Sequence, residues 1–285
     1  MDQIARPFRS VLYIPGSKQG ALEKARQLPV DVLIFDLEDS VLPGEKAAAR
    51  AGLARWLGQA DYGPRLRMVR INGFDTAWGR EDARAFSETG VDALLIPKVT
   101  GPGDIQAVAD LVPQTPLWAM METAAAVLNA PAIAAHPRLA GMVMGTNDLL
   151  RDLGARARPD RLPLHFALAQ CLLAARAEGR VIVDGVYNAF RDEAGLRAEC
   201  EQGRDMGFDG KTLIHPDQLA IANAVFAPSE DDLALARRQI TAFDAATAAG
   251  QGVAVVDGKI VENLHIVTAR TLLAKAGAIA AQAAA

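Results

Sequence analysis

Short apolar runs rich in β-branched residues alternate along this chain with longer stretches of helical periodicity, the pattern of repeated parallel β–α units. The strand-like runs fall at Ser10–Ile14, Val32–Leu37, Arg67–Ile71 and Ala93–Ile96, then at Pro116–Met121, Gly141–Met144, Val181–Asp184 and Lys211–Ile214. Helical patterns such as Gly44–Leu57 and Leu164–Glu178 separate them, the one after the fifth strand being the shortest. Eight such units predict a (β/α)8 TIM barrel over residues 1–227, in preference to an open doubly wound sheet. No Gly-x-Gly-x-x-Gly follows the first strand, so a dinucleotide-binding sheet lacks its fingerprint.

The pattern changes after Ala227-Pro228-Ser229. Ser229, followed by Glu230, Asp231 and Asp232, reads as a helix N-cap with an acidic first turn. A long Ala-rich helix runs to about Ala249. Val253–Val256, Asp257-Gly258 and Lys259–Val261 then read as a hairpin with a two-residue turn, and an Ala/Leu-rich helix closes the chain. Residues 228–285 thus form a C-terminal helix–hairpin–helix extension, expected to pack on the barrel or on a neighbouring subunit.

Composition narrows the partners. With 285 residues, 51% hydrophobic and 22% charged, the chain can bury a large core. A net charge of −4 and 5% aromatic content exclude a general pull toward nucleic acid or an anionic membrane. Two cysteines, Cys171 and Cys200, make neither a disulfide framework nor a zinc set. The N-terminal segment lacks the apolar core of a signal peptide and no run reads as a membrane span, so a cytoplasmic, soluble protein is expected.

Candidate chemistry gathers where barrel enzymes carry it, at the carboxyl ends of the strands. Glu122 closes the fifth strand and Asp148 follows the sixth. Two such carboxylates suit a hard divalent cation, since Mg²⁺ takes one or two carboxylates and leaves positions for substrate and water. Arg70 offers a planar fork for a substrate carboxylate, or else a partner for Asp36 or Glu38. Glu38 and Asp39 can hold metal-bound water, although Asp39 can equally cap the turn before Pro43. Asn72, Asn147, Asp184 and His215 complete the ring, His215 reading more as a structural residue than as a base. Gly16 and Ser17 begin a helix whose amides can receive an anion, with Ser17 as a plain N-cap the alternative. Lys46 and Arg50 meet either an anionic cofactor tail or solvent. Lys98 raises a rival Schiff-base route.

These stretches resemble the citrate lyase β-subunit-like proteins, relatives of malyl-CoA and citramalyl-CoA lyases in the HpcH/HpaI aldolase group. The resemblance rests on Arg9–Ser17, Phe35–Val41, Val69–Asn72, Ile96–Lys98, Met121–Thr123, Gly145–Leu149 and Gly210–Pro216, in order across the barrel. It implies a Mg²⁺-dependent carbon–carbon lyase, with Glu122 and Asp148 on the metal and with Arg70 and Glu122 on the oxo- or hydroxy-acid. It also implies a homo-oligomer, a trimer or hexamer. The leading expectation is retro-Claisen cleavage of a citryl-type 3-hydroxy-acyl thioester to an acetyl thioester and an oxo acid such as oxaloacetate. The thioester is carried on CoA or an acyl carrier, and citrate lyase α and γ subunits would be partners. The alternatives are a stand-alone malyl-CoA or citramalyl-CoA lyase or thioesterase, or a non-catalytic paralogue that binds an oxo acid. One departure stands out. Many relatives carry Met-Ile-Asp-x-Pro or Met-Val-Asp-x-Pro after the hairpin, with that Asp acting in proton transfer. Here Ile260-Val261-Glu262-Asn263-Leu264 replaces it. Glu262 inherits the carboxylate one methylene longer, which implies an altered route, a shifted substrate or weak lyase activity.

Overall fold

Eight parallel strands close on themselves in sequence order: β1 (Ser10–Pro15), β2 (Val32–Asp36), β3 (Leu66–Arg70), β4 (Ala93–Ile96), β5 (Leu117–Met121), β6 (Leu139–Met144), β7 (Val181–Asp184) and β8 (Gly210–Leu213). This computed structural model describes residues 6–87 and 89–284. The first residues of the N-terminal segment, read above as no signal peptide, lie outside the described part. Around the barrel run α1 (Gln19–Ala25), α2 (Lys46–Leu57), α3 (Gly79–Ser87), α4 (Pro102–Ala109), α5 (Ala124–Leu128) and α6 (Ala130–Ala134). They are followed by α7 (Thr146–Asp152), α8 (His165–Ala177), α9 (Glu193–Met206) and α10 (Leu219–Phe226). The expected (β/α)8 barrel is the observed one. Asn129-Ala130-Pro131 splits the segment after β5 into two five-residue helices, because a proline at the start of a helix is tolerated where one inside it is not.

Successive strand residues point to opposite faces, so each strand fills two cores. Val11, Val32, Ile34, Met68, Leu95, Trp118, Met120, Val143 and Val183 fill the barrel interior. Their neighbours Leu12, Leu33, Phe35, Val69, Leu94, Ala119, Met142 and Ile182 pack outward under the helices. The interior needs a glycine beside Trp118. A Cβ at Gly141 would lie 2.7 Å from the Trp118 ring, and the β5–β6 register shifts between Leu117 and Trp118 to seat that ring.

From Ala227 onward the chain forms a second compact unit. Ser229 caps α11 (Glu230–Ala248), its hydroxyl accepting from the Asp232 amide while the Asp232 carboxylate answers the Ser229 amide. β9 (Ala254–Val256) and β10 (Lys259–Val261) pair antiparallel around Asp257 and Gly258, whose φ of 51° and 75° fit a type I′ turn. Val256, Val261 and Ile266, the last on α12 (Asn263–Ala284), form this unit's small core with Leu235 and Phe243. One expectation needs correction. Asn263–Ala283 is by length and composition apolar enough to cross a membrane, with mean hydropathy 1.2 and 11% of it buried. Its Leu, Ile and Val residues are spread among alanines and interrupted by Arg270 and Lys275, which is why it did not read as a span.

Candidate active site

The two-residue period of the strands decides which side chains meet on the barrel axis. Tyr13 follows Val11, Asp36 follows Ile34, Arg70 follows Met68 and Glu122 follows Met120, so all four extend the interior face past the last apolar layer. They line one cavity of about 360 Å³, together with Asp39, Asn147, Asp148 and Ile214. The sequence had pointed to Arg70, Glu122, Asn147, Asp148 and Asp39, and the barrel brings these together.

Arg70 is the knot. Its Nε and Nη2 donate to the two Asp36 oxygens at 2.7 and 2.8 Å, and its Nη1 lies 3.0 Å from Glu38 Oε2 and 3.4 Å from Asp39 Oδ2. The Tyr13 ring sits 5.1 Å from the guanidinium. The side-on fork expected to clamp a substrate carboxylate is therefore taken by Asp36, and only the Nη1 edge faces the cavity's other carboxylates. Asp36 also organises the loop behind it, accepting from the Glu38 and Ser40 amides at 2.9 and 3.0 Å. Burial would raise the Asp36 pKa, but the Arg70 charge and these hydrogen bonds outweigh it and hold the carboxyl below its ordinary range. Glu38 goes the other way. Burial raises it despite Arg70 and Lys98.

Glu122 is 1% exposed. Burial pushes its pKa up to about 7, with Glu38 and Asp148 adding repulsion against the Lys98 amide and Arg70. Its Oε1 accepts from the Lys98 backbone N–H at 2.7 Å. Gly145 lets the next strand end come close, since a Cβ there would lie 2.7 Å from Glu122 Oε2 and closer still to its Cβ. Asp148 had been expected directly at a strand end. It lies instead in the first turn of α7, four residues past β6, and pairs with the exposed Arg151 at 2.5 Å.

Five carboxylates (Asp36, Glu38, Asp39, Glu122 and Asp148) thus stand against Arg70 and Lys98 at this mouth. Such a surplus of oxygen donors around a buried, protonatable Glu122 fits a hard divalent cation. Among the described residues no three His, Cys, Asp or Glu side chains form an all-protein cage. Mg²⁺ needs only one or two such carboxylates and completes its shell with water and substrate.

Other expected residues have partners of their own. The Gly16 amide donates to the Asp36 carbonyl at 2.9 Å and cannot receive an anion. α1 starts only at Gln19, and Gly16 and Ser17 border a separate cavity of about 580 Å³. Lys46 is buried, its ammonium bonded to the Leu37 and Glu38 carbonyls at 3.0 and 2.8 Å, and Arg50 pairs with Asp82 at 3.1 Å. Lys46 braces the loop after β2 and Arg50 ties α2 to α3, so neither is part of a plain solvated face. Asn72 joins them, donating to the Leu37 carbonyl at 3.0 Å. His215 accepts from the Asp217 amide at 3.2 Å and stacks on Phe190, a structural role. The Lys98 ammonium is engaged by Glu38, which argues against a Schiff base. Asp184 faces outward with Ile182 and is sealed between Arg161 and Lys211. Asn147 exchanges hydrogen bonds with Asn188 at 2.8 and 3.1 Å. Glu262 belongs to the second unit, where it is exposed and precedes α12, its amide donating to His265 at 3.0 Å. The sequence reading passed over Tyr13, yet its place two residues after Val11 was the signal.

A strand-end carboxylate cluster in a (β/α)8 barrel, arranged for a divalent cation and a small acid, defines a class of metal-assisted enzymes. The chain belongs to the HpcH/HpaI aldolase/citrate lyase family, which matches residues 9–216. It is 69% identical over 281 residues to a (3S)-malyl-CoA thioesterase of Cereibacter sphaeroides (strain KD131), covering 99% of both chains. It is 35% identical to an L-malyl-CoA/beta-methylmalyl-CoA lyase of Cereibacter sphaeroides (strain ATCC 17029), covering 97% of both. Among solved structures it is similar to protein CitE from Mycobacterium tuberculosis in complex with magnesium, acetoacetate and coenzyme A. The identity there is 31% and the TM-score 0.81, over 96% of this chain and 99% of that one. Members of this family are thus lyases and thioesterases acting on CoA thioesters, and solved relatives carry magnesium. The malyl-CoA alternative fits better than the citryl reading with which the sequence analysis led.

Proposed function

We propose that this chain hydrolyses (3S)-malyl-CoA to malate and free CoA, with Mg²⁺ held by Glu122 and Asp148. The observation that carries this reading is the 69% identity, over 99% of both chains, to a thioesterase of that substrate. The cavity supports it, being of a size for a small hydroxy acid and ringed by oxygen donors. Bound Mg²⁺ would offset the carboxylate surplus and polarise the oxygens of the hydroxy-acid head. The Nη1 edge of Arg70 meets the substrate carboxylate, while Asp36 keeps the guanidinium fixed and charged. Water adds to the thioester carbonyl carbon, the C–S bond breaks, and its electron pair leaves with sulfur. Glu38 and Asp39, both beside Arg70 Nη1, are the carboxylates left to accept the water proton, which then passes to the departing thiolate.

Glu262 fits this choice. Carbon–carbon cleavage of the same substrate would yield an acetyl-CoA enolate that a placed acid must protonate, whereas hydrolysis forms no enolate. With the citryl reading set aside, the need for citrate lyase α and γ subunits goes too. The test is incubation with (3S)-malyl-CoA, with and without Mg²⁺, following free thiol and glyoxylate separately. Thiol release without glyoxylate, lost on chelation, is the expected result. Stoichiometric acetyl-CoA and glyoxylate would make the protein a lyase, and no turnover would leave an oxo-acid-binding paralogue.

A further inference from the structure

Lys98 touches both halves of the carboxylate cluster with different parts of itself. Its backbone N–H donates to Glu122 Oε1 at 2.7 Å, and its ammonium binds Glu38. In the barrel order β2-β3-β4-β5 it reaches one strand forward to Glu122 and two strands back to Glu38, over Arg70. Its backbone is left-handed, with φ of 51°. Among the described residues only Arg161 and Asp257 share this property outside glycine. Asp257 has it because a type I′ hairpin turn demands it. Lys98 stands two residues past the end of β4, where no hairpin imposes it. A lysine held there is a strained backbone kept by its surroundings, and such strain gathers at functional sites. The surroundings here are the Glu122 carboxylate on one side and Glu38 on the other.

We propose that Lys98 is a positioning residue, whose left-handed backbone aims an amide at Glu122 to set it for the metal and whose ammonium fixes Glu38 for proton transfer. This rests on the reading of Glu122 as a metal-holding carboxylate. The two functions separate by substitution. Lys98→Gly keeps the left-handed backbone and the amide but loses the ammonium. Lys98→Ala loses the ammonium and also disfavours the backbone. Lys98→Arg keeps a cation.

The measurements are the Mg²⁺ dissociation constant of the substrate-free protein by calorimetry, the melting temperature, and kcat and KM for (3S)-malyl-CoA. Lys98→Gly should bind Mg²⁺ within about threefold of wild type while kcat falls at least tenfold, about the loss of one proton-transfer contribution. Lys98→Ala should bind Mg²⁺ roughly fivefold more weakly than Lys98→Gly, the measure of the left-handed penalty. Lys98→Arg should recover part of kcat, which a merely structural lysine would not require. Should the alanine variant not fold, Lys98→Asn replaces it, because asparagine tolerates this backbone and should match glycine in metal affinity. Equal Mg²⁺ affinity in the alanine and glycine variants, or weak binding by Lys98→Asn, overturns the backbone half. Full kcat in Lys98→Gly overturns the ammonium half. A wild-type protein that binds no Mg²⁺ overturns the metal reading itself, a result distinct from both.

Discussion

Two ionic clusters in this barrel are built on opposite principles. On β2, β3 and β5 the charges face the axis, the carboxylates outnumber the cations, and a cavity opens onto them. On β7 and β8 they face the helices. There Asp184 takes two bonds from Arg161, at 2.8 and 2.5 Å, and one from Lys211 at 3.1 Å, and Lys211 reaches Glu199 at 2.6 Å. Two anions meet two cations, and Asp184 and Lys211 are fully buried. The balanced cluster has nothing left to offer a ligand. In the unbalanced one, burial holds the Glu122 pKa up to about 7, and Arg70 and the Lys98 amide do not offset it. Exposure to a cavity and a deficit of cations mark the working site, rather than the number of charged residues at strand ends.

The largest effects should come from the open cluster. Glu122→Ala or Asp148→Ala should cut metal-dependent turnover by roughly 10³-fold or more, with little change in melting temperature. Wild-type rates in either would remove the metal assignment. At the sealed cluster the effect should fall on stability. Asp184→Ala leaves Arg161 and Lys211 buried without their shared partner and should cost about 3–5 kcal/mol in denaturant unfolding. A loss below about 1 kcal/mol would erase the distinction between the clusters.

Acidity sharpens it further. The folded Glu122 pKa, about 7, lies above the ordinary carboxylate value, so between the two the native state holds more protons than the unfolded chain. Stability of the metal-free protein should therefore fall as pH rises from about 4.5 to 7, by something on the order of 2 kcal/mol. Mg²⁺ should restore it increasingly toward higher pH, and Glu122→Gln should flatten the profile. A metal-free stability that rises over this range would contradict the buried-acid picture. Smallest of all, Asn188→Ala should free Asn147 at a cost of about 1 kcal/mol and raise KM by less than about threefold. A larger KM effect would give that amide pair a direct part in binding.

Much of this was legible beforehand. The β-branched runs located all eight strands to within two residues, because parallel barrel strands buried on both faces read as plain apolar runs. Glu122, Asp148 and Arg70 stood out as charges where apolar runs stop. What failed to show was direction. Asp184 closes its strand just as Asp36 does, yet Asp36 continues the Ile34 face and Asp184 continues that of Ile182. Applying the two-residue period would have separated them. Lys46 was hidden for another reason. Its ammonium folds back onto two carbonyls eight and nine residues earlier in the chain, a contact that neither the strand nor the helix period records. The short α7 escaped because Gly145-Thr146-Asn147-Asp148 reads as turn chemistry.

Both cysteines, Cys171 and Cys200, lie buried in the shell of helices, and burial drives each thiol up to about 12. Disulfide exchange needs an accessible thiolate, and neither sulfur supplies one. A catalyst proposed to release a thiol at every cycle would thus add no reactive thiol of its own to the signal of its product. A colorimetric disulfide reagent added to the native protein should stay dark until the first ester is split.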